Sequence, residues 1–319
     1  MPEEVVTRTE NENVLFQVGD CAVTILPQFG GKISSILVRG SELLQTPLAP
    51  YAPRTRSMSF DQGDASGWDE CLPSVAGCTA QTVNGAVDVP DHGDLWRVAW
   101  QVLKCANGSI TLRGQCFSLP LALVRAVTLT RTEKGYRLHA EYKVTNTGVE
   151  ETPWAWSAHP GYASEAGDRV VLPASIKALR LEGSGGGRLG KGGDTVAWPI
   201  AKLAGGGETD LSVALPPEAN TGDKLFAGPL AAAENWCALE RPKAGVRLRI
   251  RFDPALTPYL GIWICNGGWP DRPGTKQHCV ALEPATAPVD SLAIPGPWSR
   301  TLAAGQSFAW PMTVDLELL

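Results

Sequence analysis

Apolar and polar residues alternate one by one along much of this chain. In residues 137–146, Leu138, Ala140, Tyr142 and Val144 alternate with His139, Glu141 and Lys143. Val246, Leu248, Ile250 and Phe252 alternate with Arg247, Arg249 and Arg251. Near the C-terminal end, Phe308, Trp310, Met312, Val314, Leu316 and Leu318 alternate with Ala309, Pro311, Thr313, Asp315 and Glu317. A period of two places each set on one face of a strand. Similar segments predict strands near 14–18, 21–26, 32–38, 95–104, 109–117, 123–131, 153–159, 211–215, 235–240, 259–265 and 278–283, separated by clusters of Gly, Pro, Asn and Asp. The one helical expectation is a single turn over Pro288 to Leu292. Strand following strand without helices predicts antiparallel sheets in a sandwich or barrel. The glycine-rich stretch 183–193 is the best linker candidate, but the β pattern continues on both sides. We therefore expect one domain over residues 1–319, with 1–13 a loosely ordered N-terminal segment.

Composition narrows the function. The 34 glycines and 25 prolines among 319 residues suit many turns, and 44 % hydrophobic against 19 % charged residues argues against disorder. The net charge of −5 lacks the basic surplus that phosphate contacts need, so no nucleic-acid partner is expected. No apolar run approaches the ~18 residues of a membrane span, and the start has no apolar signal region. The eight cysteines form no Cys-x-x-Cys pair, which reads as reduced thiols in a cytoplasmic protein.

Most chemical motifs are missing. Gly185, Gly190 and Lys191 satisfy the phosphate-loop spacing, but Gly192 stands where Ser or Thr should hold the metal. The four histidines have no metal-ligand spacing, and no Ser or Cys stands in a nucleophile motif. What remains is a pair of ionisable residues, His159 before Pro160 and Glu283 before Pro284. Each proline is expected to end a strand, because it lacks a ladder donor. A Glu base and a His acid make a workable pair near neutral pH.

Five segments, in order, carry a resemblance: Gly67-Trp68-Asp69-Glu70-Cys71-Leu72-Pro73-Ser74, Asp91 to Arg97, Ser157-Ala158-His159-Pro160, Thr257 to Ile264, and Ala281-Leu282-Glu283-Pro284 with Pro288-Val289-Asp290. The strand holding Tyr142, Val144 and Asn146 fits as well. Together they resemble the galactose mutarotase-like (aldose 1-epimerase) superfamily over roughly residues 14 to 317. The resemblance implies an all-β fold, a large antiparallel β-sandwich with a sugar site on one face. It implies that Glu283 takes the proton from the anomeric hydroxyl and that His159 protonates the ring oxygen. His92 and Asp223 are implied to hold the sugar. No metal or organic cofactor is implied, and the partner is a small sugar or sugar derivative bound by a monomer or homodimer. Ala158 stands where mutarotases carry Asn, and their Gly-Arg-x-x-Asn-Arg stretch is absent, with Arg54 and Arg56 in the comparable region. These departures point to a divergent branch.

Further candidates for substrate contact are Arg56, Glu70, Trp68, Trp96 and Trp263. The tryptophans suit either stacking on a sugar or core packing, and Asp69 and Glu70 either hydroxyl binding or a turn. Arg247, Arg249 and Arg251 make a basic strand face, either solvated or lining a site for an anionic sugar. The competing readings are a carbohydrate-binding sandwich without catalysis and, behind it, a lyase or hydrolase on the same fold.

Overall fold

The structure is a computed structural model describing residues 5–10 and 12–319. Two large antiparallel sheets contain most of the strands. Counted over the described residues, the larger has twelve. Its middle runs Lys32–Val38, Trp68–Cys71, Ser157–Ala163, His278–Ala285, Tyr259–Asn266 and Thr221–Ala227. The smaller has eight strands, in the order Arg169–Val171, Trp236–Arg241, Val246–Phe252, Ser307–Leu318, Gly135–Asn146, Leu121–Thr132, Ser109–Gln115 and Gln101–Ala106. There is no α-helix among the described residues, only single 3-10 turns.

The two sheets look different in sequence because their faces meet different surroundings. Val246–Phe252 alternates buried and half-buried residues without a break. That is the signature of a sheet with one face on the core and one in water. The solvated face carries Arg247, Arg249 and Arg251. Arg247 pairs with Glu240 and Glu317, Arg251 pairs with Asp315, and Arg249 lies over the Trp236 ring. This face is part of the protein's own ion-pair surface and lines no sugar cavity of the larger sheet. By contrast, His278–Ala285 is buried at every position after its first residue. The middle of the larger sheet is covered on both sides, by the smaller sheet within and by loops outside.

One contiguous apolar cluster fills the space between the sheets, including Trp68, Leu72, Tyr142, Trp154, Trp156, Ile262, Leu282 and Trp310. Tyr142 stacks on Trp310 at 5.4 Å, and Trp156 lies 4.7 Å from the same ring. Large rings give much buried area for little lost freedom, which suits them to a wide inter-sheet space. Six of the eight cysteines are buried, and all eight are free thiols.

Several sequence expectations need correction. The segment 95–104 is not one strand: Leu95–Arg97 is a 3-10 turn and the strand is Gln101–Ala106. Residues 211–215 form an irregular connection, and 288–292 bends without a helical turn. Val6–Glu10, expected to be loosely ordered, pairs as a strand with Asn13–Val18, while residues 1–4 and 11 lie outside the described residues. Neither proline ends its strand: Ser157–Ala163 continues past Pro160, and His278–Ala285 past Pro284.

Candidate active site

The prolines open the ladder instead of ending it. The strands 157–163 and 278–285 pair at Ser157↔Ala285 and resume at Gly161↔Ala281. Between these pairs lie Pro160 and Pro284, neither of which can donate a ladder hydrogen bond. This register sets His159 across from Glu283 in the gap. On its other side His159 pairs with Asp69. Cross-strand partners share a face, so Asp69, His159 and Glu283 all point away from the smaller sheet. Their neighbours Glu70, Ala158 and Leu282 point into the core.

Glu283 is fully buried. Its Oε2 accepts hydrogen bonds from Lys224 Nζ and, at 3.3 Å, from Ser157 Oγ, while Oε1 has no partner. Opposite it stands Gly261, where a Cβ would approach Glu283 Oε2 to 3.0 Å. The glycine leaves the space the carboxylate occupies. Lys224 Nζ also lies 3.6 Å from Asp290 Oδ1, so one ammonium sits between two carboxylates.

Above this floor is a cavity of about 190 Å³, lined by Phe60, Val75, Ala76, Asp91, His92, His159, Lys224, Trp263, Trp269, Gln277 and Asp290. Ligand pockets commonly measure ~300–1,000 Å³; this one suits a single small ring. Trp263 Nε1 donates to Gln277 Oε1 at 3.1 Å, which fixes that ring on the wall. The opposite wall is a tight turn. His92 lies flat on Phe60, centroids 3.7 Å apart, and stands edge-on to His159 at 5.0 Å. Asp91 Oδ2 is 2.8 Å from His92 Nδ1. His92 itself has φ 57 and Gly93 φ 65, both left-handed. Buried Arg97 holds the turn closed by donating to the carbonyls of Asp91, Gly93 and Met58. At Gly93 a Cβ would run into the Leu72 backbone. Gly93→Ala should therefore destabilise the fold by more than the ~1–2 kcal/mol of a left-handed alanine alone. Urea midpoints will measure it, and an unchanged midpoint would mean the turn is not fixed.

Charge is arranged unevenly. Burial, reinforced by His92, Lys224 and Lys32, pushes the His159 imidazole well below its ordinary range, so it is neutral at neutral pH. Burial raises Asp290 to about 6 even though Lys224 pulls the other way. For Lys224, burial opposes its charge, but Asp290 and Glu283 outweigh it and hold the ammonium above its ordinary value. Behind His159 a second buried network backs Asp69. Lys32 Nζ donates to Asp69 Oδ2 and lies 3.0 Å from Asp64 Oδ2, and Arg54 Nη1 reaches Asp64 Oδ1 at 2.6 Å. Against burial, Lys32 and Arg54 hold the Asp64 carboxyl at about 2.

The cavity brings together some of the residues singled out from sequence and leaves others elsewhere. His159, His92 and Trp263 line it, and Glu283 lies beneath it. Asp223 points to the other face of its strand, where Ser184 and Arg188 hold its carboxylate. Glu70 is inside the sandwich, bonded to Arg125, Tyr142 and Trp156. Trp68 is core, and Trp96 packs edge-on behind Phe60 at 5.2 Å. Arg56 is exposed, with its guanidinium over the Phe117 ring. These five are not on the cavity wall. The sequence pattern did not single out Lys224, Asp290, Asp91 or Gln277 as site residues. Lys224 was within reach: it alternates with Asp223, and the residue across from Trp263 is Lys224.

No protein-family model matches the sequence, and no curated protein does. Solved structures do match. The chain is similar to the Slr1438 protein from Synechocystis sp. PCC 6803 at 15 % identity and TM-score 0.68, over 100 % of this chain and 98 % of that one. It is similar to a galactose mutarotase-like protein from Lactobacillus casei ATCC 334 at 18 % identity and TM-score 0.62, over 98 % and 100 %. It is also similar to a protein from Escherichia coli K12 provisionally named an aldose 1-epimerase, at 17 % identity and TM-score 0.64, over 99 % of both chains. The fold is thus the galactose mutarotase-like β-sandwich, carried by a sequence far from those of its structural neighbours.

Proposed function

We propose that the protein is an aldose 1-epimerase-like enzyme that interconverts the α and β anomers of a neutral sugar. The observation that carries this reading is the pairing across the floor: neutral His159 faces the Glu283–Lys224–Asp290 carboxylate group beneath one small cavity. The carboxylate side takes the proton from the anomeric hydroxyl. His159 donates to the ring oxygen as the C1–O5 bond opens, a role a neutral imidazole can fill when an oxyanion develops opposite it. Rotation about C1–C2 and closure on the other face give the second anomer. Trp263 and Trp269 offer apolar faces to the ring, and Asp91, His92 and Gln277 offer hydroxyl partners. Positioned acid–base groups contribute ~10²–10⁴-fold, enough for a reaction that already proceeds slowly in water.

Charge favours a neutral substrate. Lys224 is the one Lys or Arg among the described cavity-lining residues, and two carboxylates already engage it. Asp91 adds a further negative charge. A hexose phosphate or uronate would place an anion there unpaired, so its kcat/KM should fall on the order of tenfold or more below that of the neutral parent. Polarimetry of fresh α-anomers across neutral hexoses, pentoses, hexose phosphates and uronates tests both statements. Faster mutarotation of anionic sugars would overturn the charge argument, and no acceleration with any sugar would overturn the epimerase reading.

One observation favours the second reading, sugar binding without turnover: Glu283 is covered by Lys224 and is absent from the cavity wall. Ligand line broadening in NMR without faster anomer exchange would support it. We further propose that the whole chain acts as one unit in the cytoplasm, a placement supported by its free thiols and −5 charge. No helix among the described residues is long and apolar enough to cross a membrane.

A further inference from the structure

One phenylalanine touches both histidines of the cavity wall. Phe60 lies parallel to the His92 ring at 3.7 Å and 9°, and stands perpendicular to the His159 ring at 5.6 Å and 90°. Trp96 packs edge-on behind it at 5.2 Å, and Trp269 lies 6.0 Å away. Only 3 % of Phe60 is exposed. Among the described residues no other side chain is hydrogen-bonded to the His159 ring, and its ring contacts are with Phe60 and His92. An imidazole without a hydrogen-bonded side-chain partner is oriented by what packs against it, and perpendicular rings are a favoured geometry.

The chain around Phe60 is tied down on both sides. Before it, the Met58 carbonyl accepts from Arg97 Nε at 3.0 Å. The same guanidinium donates to the Asp91 and Gly93 carbonyls, so one buried arginine fixes both the Phe60 segment and the His92 turn. After it, the Asp61 carbonyl accepts from Arg272 Nη2 at 2.6 Å and Nε at 3.2 Å, and the Phe60 carbonyl accepts from Gly63 N at 3.2 Å. A ring seated this way holds its neighbours within the narrow tolerance that a positioned reacting group requires.

Resting on the epimerase reading, we propose that Phe60 is a positioning residue whose ring sets the angle of His159 toward the sugar ring oxygen and keeps His92 flat on the wall. It acts through the two imidazoles and not through a bond to the sugar. Leu in its place keeps an apolar side chain but offers no flat face. Both imidazoles then gain freedom, and water reaches His159. Burial is the largest cause that keeps His159 below its ordinary range, so in Phe60→Leu its titration should move to higher pH. The titratable and charged groups around His159 are Asp69 and Glu283 on the two neighbouring strands, Lys32 and Lys224 further out in the sheet, and Asp91 and His92 on the turn. The substitution alters none of them, so the shift reports the lost ring.

NMR of the imidazole protons in the full chain follows the four histidines, with His92→Asn and His159→Phe assigning two of them. In the wild type the ring current of Phe60 should move the His92 ring protons upfield, which checks the stack without any substitution or substrate. Phe60→Leu is expected to abolish that shift, to raise the His159 titration midpoint, and to lower kcat for anomer exchange of α-D-glucose and α-D-galactose ~10²-fold. Phe60→Tyr keeps the ring and should retain most of kcat. Circular dichroism and urea midpoints confirm that each variant folds. A Phe60→Leu protein with raised KM but unchanged kcat and unchanged His159 titration would make Phe60 only a wall of the sugar site and overturn the assignment. A wild-type His92 without the upfield shift would overturn it as well. A wild type that shows the shift but accelerates no anomer exchange would overturn the epimerase reading and the assignment with it.

Discussion

Lys224→Met should cost about 3–5 kcal/mol of stability at neutral pH, the typical penalty for removing one partner of a buried ion pair. The lysine neutralises two carboxylates at once, Glu283 and Asp290. Without it, Glu283 must be buried as a lone anion or take up a proton, and either is costly at pH 7. The loss should depend on pH in a defined direction. Asp290 already lies at about 6, above its ordinary value, and Lys224 is what holds it down. In the variant it should rise further. A carboxyl raised in the folded state gives stability that is fully present below its unfolded value and is lost as pH rises through the folded one. The Lys224→Met deficit should thus be small near pH 4 and should grow between pH 5 and 8. Urea midpoints of both proteins across that range will measure it. A constant deficit would mean that Lys224 acts through packing and not through charge.

The second large effect is expected inside the sandwich. Arg125 and Glu70 are fully buried and paired at 2.9 Å, and Glu70 also accepts from Tyr142 and Trp156. Arg125→Met leaves Glu70 uncompensated in the apolar centre and should also cost about 3–5 kcal/mol. Tyr142 and Trp156 would still donate to it, but they carry no charge. Removing both charges, as Arg125→Met with Glu70→Leu, should recover most of the loss, because a hydrophobic pair of similar volume is often as stable as a buried ion pair. A double-mutant cycle on thermal or urea unfolding checks this. If the double variant were as unstable as the sum of the singles, Arg125 would stabilise the core chiefly through its bond to the Gly31 carbonyl and not through its pairing with Glu70.

The fold was most legible where one face of a strand meets water. Val246–Phe252 and Gly135–Asn146 alternate cleanly because the smaller sheet is solvated on one side. The larger sheet is covered on both sides, so its strands read as apolar runs and their ends were harder to place. The prolines misled for a related reason. Pro160 and Pro284 cannot donate, but they lie diagonally on either side of the His159–Glu283 pair in a gap of the ladder, where no donor is needed. The candidate site was legible in its floor, since His159 and Glu283 stand out as ionisable residues in apolar strands. Its walls were not. Asp223 and Lys224 are adjacent, and only the pairing with Trp263 decides which one faces the cavity. Glu70 and Asp69 pose the same question, and the answer sends Glu70 to the core. Asp290 falls in one of the resemblance segments, but its place on the cavity wall depends on residues 74–76 and on Glu182, far away in sequence.

The activity proposed for this cavity is the exchange of a sugar's anomers. Proton exchange NMR on an equilibrated neutral hexose tests it most directly, because it detects transfer between the α and β H1 signals without a net reaction. Cross-peaks between the two anomers are expected at mixing times where buffer gives none. They should be lost in Glu283→Gln and in His159→Phe while both variants remain folded. Exchange no faster than in buffer, for every neutral hexose and pentose tried with folded wild-type protein, would contradict it.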